Sequence, residues 1–151
     1  MLKVFLKKLE NFDENLELPE YKSLGAAGAD LRASFQDKKG ITLQPGEKAL
    51  VPTGISLEIP QGYEAQVRPR SGLSVKTTLI IPNSPGTIDS DYRGEIKVIL
   101  HNIGNEPQEV EHGMRVAQLV VAPVMVCEFI ETREISTTER GVSGFGSTGV
   151  N

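Results

Sequence analysis

The sequence predicts an all-β protein: a jelly-roll-like sandwich or barrel with one very short helix and a flexible C-terminal tail. Short runs alternate apolar and polar residues with a period of two, turn-forming Pro and Gly clusters separate the runs at regular spacing, and only one stretch offers a helical start.

The elements follow in chain order. Residues 1–9 alternate through Lys3, Lys7 and Lys8 and lack both a continuous apolar core and a small-residue cleavage site, so they read as a strand and not as a signal peptide. Residues 29–33 form a second strand, and residues 48–51 a third, after the turn Gln44-Pro45-Gly46. Ile55, Leu57 and Ile59 then oppose Ser56 and Glu58. Beyond the turn at Pro60-Gln61-Gly62, Tyr63, Ala65 and Val67 oppose Glu64, Gln66 and Arg68. Residues 71–77 supply the helical turn, with Ser71 as its cap. Asn83, Ser84, Pro85 and Gly86 are turn residues that open a β-hairpin, whose outgoing strand at residues 95–100 sets Ile96, Val98 and Leu100 on one face. Residues 115–122 and 125–131 complete the strands, and no internal repeat is present.

The 151 residues suit one domain, large enough to bury about 70% of the surface of the unfolded chain. Its bounds are expected at residues 1–131. Residues 132–151 are polar and hold four glycines, with Ile135 and Phe145 among their few large apolar groups, too few to order a mobile tail. The composition, 38% hydrophobic and 24% charged, is that of a soluble globular protein. A net charge of -4 argues against a nucleic-acid surface, and no apolar run reaches the roughly 20 residues that span a bilayer. Cys127, the only cysteine, excludes an intrachain disulfide and a thiolate metal cluster, fits a reducing cytoplasmic setting, and is expected to be a small buried hydrophobe. His101 and His112 each stand alone in sequence, which argues against a zinc site or a histidine triad.

Three segments carry chemistry. Residues 86–94, Gly-Thr-Ile-Asp-Ser-Asp-Tyr-Arg-Gly, place the carboxylate of Asp89 and the ring of Tyr92 at the tip of the expected hairpin, where a tight backbone holds them still. Residues 70–76 combine the Arg70 fork, the Ser71 hydroxyl and Gly72 at a helical start, a combination suited to an anion. Residues 140–149 resemble a phosphate-wrapping loop: glycines expose backbone N–H groups, Ser147 and Thr148 add donors, Arg140 adds charge, and Phe145 can stack on a base. No lysine follows these glycines, so this is not a P-loop.

With residues 27–33 and residues 113–119, these segments, the second of them taken as residues 69–73, make five that resemble, in order, those of the trimeric deoxyuridine triphosphate nucleotidohydrolases, or dUTPases. The resemblance spans residues 27–149 and implies a β jelly roll, a homotrimer with active sites shared between subunits, and hydrolysis of dUTP to dUMP and pyrophosphate. That reaction supplies thymidylate synthesis and keeps uracil out of DNA. Asp89 resembles the general base. Asn83, Thr87, Ile88 and Asp89 match the segment that reads uracil, Lys97 borders that pocket, and Tyr92 packs on the deoxyribose. Arg70, Ser71, Gly72 and Gln118 match phosphate-side positions, while Arg140, Phe145, Gly146, Ser147 and Thr148 match the closing tail. Mg²⁺ is implied as a cofactor carried by the phosphates and their water, with no direct protein ligand; Asp30 and Gln118 are placed in its outer surroundings. The family usually has glycine where this chain has Ser143, which is expected to make tail closure slightly harder.

Three other readings share the fold. A dCTP deaminase needs a glutamate on the strand after the hairpin, and that place falls on Ile99, which cannot move a proton. A non-catalytic dUTP-binding regulator and a trimeric shell protein both sit poorly with a chain that retains Asp89 and the full tail.

Overall fold

The computed structural model describes residues 2–144. Strands dominate, and every paired strand runs antiparallel to its neighbour: β1 (Phe5–Lys8), β2 (Ala29–Arg32), β3 (Ile41–Leu43), β4 (Lys48–Pro52), β5 (Ile55–Glu58), β6 (Tyr63–Arg68), β7 (Leu79–Ile80), β8 (Gly86–Ile88), β9 (Lys97–Asn102), β10 (Gln108–Val110) and β11 (Arg115–Pro123). One helix, α1 (Ser71–Lys76), interrupts them. A four-stranded sheet runs β2-β11-β6-β8 and a three-stranded sheet β4-β9-β7, with the pairs β1-β5 and β10-β3 beside them.

The period-two pattern explains the core. Ile55 and Leu57 of β5, Ala65 and Val67 of β6, Val98 and Leu100 of β9, and Val116, Ala117 and Leu119 of β11 are buried together with Leu31 and Val51. Val4, just before β1, and Leu6 within it pack on this core while Phe5 faces out, 65% exposed. The fully buried Asn102 ends β9 with its polar atoms satisfied: Nδ2 donates to the carbonyls of Leu43 (3.0 Å) and Glu106 (2.8 Å), and Oδ1 accepts from Thr78 (2.7 Å) and Gly104 (3.0 Å).

Five expectations are corrected. The segment after Gly86 is not the tip of a hairpin: β8 pairs with β6, β9 pairs with β4 and β7, and residues 89–96 cross from one sheet to the other. The outgoing strand accordingly begins at Lys97, after the Ile96 N–H has bonded the Ile55 carbonyl at 2.8 Å. Residues 125–131 form no strand, because no strand of the same chain pairs with them among the described residues, and Cys127 is exposed within them. Ser71 is the first helical residue and not the cap; Arg70 takes the cap position in extended backbone with no side-chain cap bond.

Candidate active site

β8 delivers Asp89 to the surface by simple alternation. Gly86 and Ile88 face the interior, so Thr87 and Asp89 face outward on the opposite side of the pleat. Gly86 has no side chain to spare: a Cβ there would stand 3.0 Å from Asn83 Nδ2 and 3.4 Å from the Val67 Cβ, so glycine lets the Asn83 amide lie over the start of β8.

After Asp89 the chain turns at once. The Tyr92 N–H donates to the Asp89 carbonyl at 3.2 Å, and Arg93 Nη1 braces the turn by donating to the carbonyls of Ser90 (2.6 Å) and Tyr92 (3.0 Å). The Tyr92 hydroxyl then donates to the Glu95 carbonyl at 3.0 Å, which lays the ring across the loop. No side chain among the described residues hydrogen-bonds the Asp89 carboxylate, which is exposed.

These residues line a cleft of about 350 Å³ with Asn83, Thr87, Ile88, Asp89, Tyr92 and Lys97 on its wall, joined by Glu95 and by the apolar Leu50, Ile96 and Ile99. A hollow that sets an apolar wall of Leu50, Ile88, Ile96 and Ile99 against converging polar groups suits a small planar ligand. A wider depression of about 910 Å³ also reaches Asp89, from the side of Tyr63, Glu64 and Met125, but it holds none of the other expected base-pocket residues except Thr87.

The second set of expected residues is assembled by strand register. Asp30 stands opposite Gln118, and Gln118 opposite Arg68, in a row across β2, β11 and β6. The Gln118 amide donates to the Pro69 carbonyl at 2.9 Å and lies so close to Gly28 that a Cβ there would meet its Oε1 at 2.2 Å. Asp30 accepts from Arg70 Nε at 2.7 Å on one oxygen and from Arg115 Nη1 at 3.2 Å on the other. Both oxygens are thus committed to arginines, and the visible work of Asp30 is to fix the guanidinium of Arg70. Among the described residues no group of three or more His, Cys, Asp or Glu side chains is gathered to hold a metal ion.

Ser71 and Gln118 line a separate opening of about 520 Å³ with Ser84 and Pro85. The turn at residues 82–85 therefore stands between the two clefts, with Asn83 on one side and Ser84 and Pro85 on the other. Arg140 is exposed, and its Nε donates to the Ser143 carbonyl at 2.9 Å. In this turn Ser143 does not take positive φ, whereas Gly141 does, at 52°. Phe145, Gly146, Ser147 and Thr148 lie outside the described residues. Sequence reading placed Gly28, Gly94 and Arg115 inside family-like segments and Glu95 at the head of a strand but gave none of them a role, and one signal was available for Glu95: a carboxylate two residues before Lys97 at the head of an otherwise apolar strand.

A family model described as dUTPase matches residues 14–149. The chain is 58% identical over 135 residues to the deoxyuridine 5'-triphosphate nucleotidohydrolase of Rhizobium rhizogenes, covering 89% of this chain and 86% of that one. It is 54% identical over 148 residues to the protein of the same name from Bdellovibrio bacteriovorus, covering 98% and 97%. Among solved structures, it superposes on the dUTPase of Staphylococcus bacteriophage 80alpha in complex with dUPNHPP with a TM-score of 0.85, at 30% identity, covering 98% of this chain and 99% of that one. No helix of the described residues is long and apolar enough to cross a membrane.

Proposed function

The chain belongs to the dUTPase family and hydrolyses dUTP to dUMP and pyrophosphate, and we propose that Asp89 is the general base of that reaction. One observation carries this reading: Asp89 offers an uncommitted carboxylate at the edge of a cleft whose wall also holds Asn83, Thr87, Ile88, Tyr92 and Lys97. The carboxylate accepts a proton from a water as the water's oxygen bonds the α-phosphorus in line, and the bond from that phosphorus to the bridging oxygen breaks to release pyrophosphate. The Asn83 amide and the backbone of Thr87 to Asp89 pair with the edge of uracil, in a space too small for the methyl group of thymine. Tyr92, fixed by its bond to the Glu95 carbonyl, packs on the deoxyribose and rejects a 2′-hydroxyl by contact.

Arg70, held by Asp30, forms the phosphate side with Ser71, Gly72 and Gln118, and Arg140, Phe145, Gly146, Ser147 and Thr148 close over the nucleotide from residues 132–151. The donor set fits a Mg²⁺ ion ligated by the phosphates and water, with Asp30 and Gln118 no nearer than its outer surroundings, because the Asp30 oxygens serve arginines. When bound, the ion neutralises charge on the leaving pyrophosphate.

The base cleft and the phosphate-side opening lie on opposite sides of one turn, which supports sites completed between the subunits of a homotrimer. Large apolar side chains left exposed, such as Leu50 and Met125, suit such an assembly. Ile99 lines the cleft where a cytosine deaminase would need its glutamate, so hydrolysis and not deamination is the chemistry this wall favours.

The test is release of pyrophosphate from dUTP, dTTP, dCTP and UTP by the same preparation, with its mass measured by sedimentation. Turnover of dUTP alone by a trimer is expected. Comparable kcat/KM for dTTP or dCTP would overturn the base-pocket assignment, and a fully active monomer would overturn the shared site.

A further inference from the structure

Glu95 is the one acidic side chain of the cleft wall that is held inward. Its side chain is 16% exposed, against 46% for Lys97. Oε1 accepts two hydrogen bonds, from Asn11 Nδ2 at 2.8 Å and from the Gly54 N–H at 2.9 Å, while Oε2 faces the Lys97 ammonium at 3.4 Å. The main-chain carbonyl of the same residue accepts the Tyr92 hydroxyl.

The anchors on Oε1 are themselves fixed. Asn11 Nδ2 also donates to the Ser34 carbonyl at 3.2 Å, and the buried Ser34 hydroxyl donates back to the Asn11 carbonyl at 2.6 Å. Gly54 takes φ of 69° and lies so close to Phe12 that a Cβ would stand 2.7 Å from the Phe12 Cα, so the N–H that meets Glu95 is held by a backbone position only glycine fills without strain. Asn11 precedes the residues matched by the family model, which places this tie at the edge of the shared family pattern.

Both donors on Oε1 are neutral, and Lys97 is the only cation within ion-pair distance of the carboxylate among the described residues. A lysine on a four-carbon stem at the mouth of a cleft otherwise spreads over many rotamers, and fixing it before the substrate arrives lowers the entropy lost on binding.

We propose that Glu95 is a positioning residue of the nucleotide site, in which the tie from Asn11 and Gly54 through its carboxylate holds the Lys97 ammonium at the rim of the base pocket. The proposal rests on reading this cleft as the base pocket. It makes Glu95 act on binding and not on the proton transfer at Asp89, and it makes the effects of Glu95 and Lys97 one effect.

The experiment compares Glu95→Gln, Lys97→Ala, the double variant and Asn83→Ala in steady-state dUTP hydrolysis by the full chain, with Tm recorded for each. Glutamine keeps an oxygen that accepts from Asn11 and Gly54 but removes the charge that faces Lys97. Glu95→Gln and Lys97→Ala are each expected to raise KM by about threefold to tenfold with kcat within about twofold, and the double variant to lose no more than either single one. The proposal is overturned if Glu95→Gln keeps the wild-type KM while Lys97→Ala does not, if the two losses multiply, or if Glu95→Gln lowers Tm and changes kcat and KM no more than Tm accounts for. Asn83→Ala separates the deeper failure: if it too leaves KM for dUTP unchanged, the base-pocket reading falls and Glu95 with it.

Discussion

The Tyr92 ring occupies the space that a side chain at position 94 would need: a Cβ on Gly94 would stand 2.3 Å from the Tyr92 hydroxyl oxygen and 2.5 Å from the ring carbon that bears it. Gly94→Ala therefore pushes the ring off its bond to the Glu95 carbonyl. Tyr92 is 47% exposed and has room to swing away, so the variant is expected to fold, at a cost of about 1 kcal/mol, and to lose sugar selectivity. The ratio of kcat/KM for dUTP over UTP should fall by about tenfold or more. An unchanged ratio would remove Tyr92 from the sugar contact.

Asp89→Asn keeps the shape of the cleft and removes only the group that accepts a proton. General-base contributions are typically about 100-fold to 10,000-fold, so kcat should fall within that range while the affinity for a non-hydrolysable dUTP analogue stays near wild type. Retention of more than about a tenth of wild-type kcat would assign the base elsewhere.

Asp30→Asn tests whether Arg70 is positioned by its partner. The Asp30 and Arg70 side chains are 15% and 23% exposed, and the charged bonds at 2.7 and 3.2 Å also keep Arg70 and Arg115 from repelling each other. Losing that carboxylate should cost about 1 to 3 kcal/mol of positioning, roughly fivefold to 150-fold in kcat/KM for dUTP. The loss should be smaller for dUMP binding, which lacks the outer phosphates. Equal losses for both nucleotides would mean that Asp30 serves the fold alone.

How much of this was legible in the sequence follows from strand length and from pairing. β6 was readable to its ends because six alternating residues between Gly62 and Pro69 leave one register. β3, β7, β8 and β10 were missed, since two or three residues cannot display a period, and Leu43 and Val110 are buried through a pairing of segments far apart in sequence. The expected hairpin failed for a related reason. Local turn chemistry around Pro85 and Gly86 marked a reversal correctly, but only tertiary pairing decides that β8 joins β6 and β9 joins β4. In the site, residue types that face solvent by alternation, Thr87 and Asp89, were legible. Arg115 and Glu95 were not, because their partners Asp30, Asn11 and Gly54 come from distant segments.

Acid stability should depend on Asp13. Its carboxylate is held well below its ordinary value of 3.8 by Lys38 first, at 2.8 Å, then by the Asn15 N–H and by His112, at 3.1 Å. A carboxyl whose folded pKa is depressed contributes stability that is complete above its unfolded value and is lost as pH falls toward the folded one. The Tm difference between wild type and Asp13→Asn should therefore shrink steadily as the pH falls below about pH 4. A difference that stays constant down to pH 2 would show that Asp13 is not the group titrating there.

Removal of residues from Glu139 onward should separate fold from activity. The apolar core ends at Leu119 of β11, and Arg140 bonds only to its own turn, so the truncated chain loses no core contact among the described residues. It does lose Arg140, Phe145, Gly146, Ser147 and Thr148, the donors and the ring proposed to close over the nucleotide. The expected product keeps its Tm within a few degrees and its trimeric mass, and hydrolyses dUTP far more slowly. Phe145→Ala alone should be milder, because one base-aromatic stack is worth about 1 to 3 kcal/mol, or roughly fivefold to 150-fold. Wild-type turnover by the truncated protein would end the closing-tail reading. So would equal protease protection of these residues with and without a non-hydrolysable dUTP analogue and Mg²⁺, because a tail that orders over substrate must change its exposure when substrate binds.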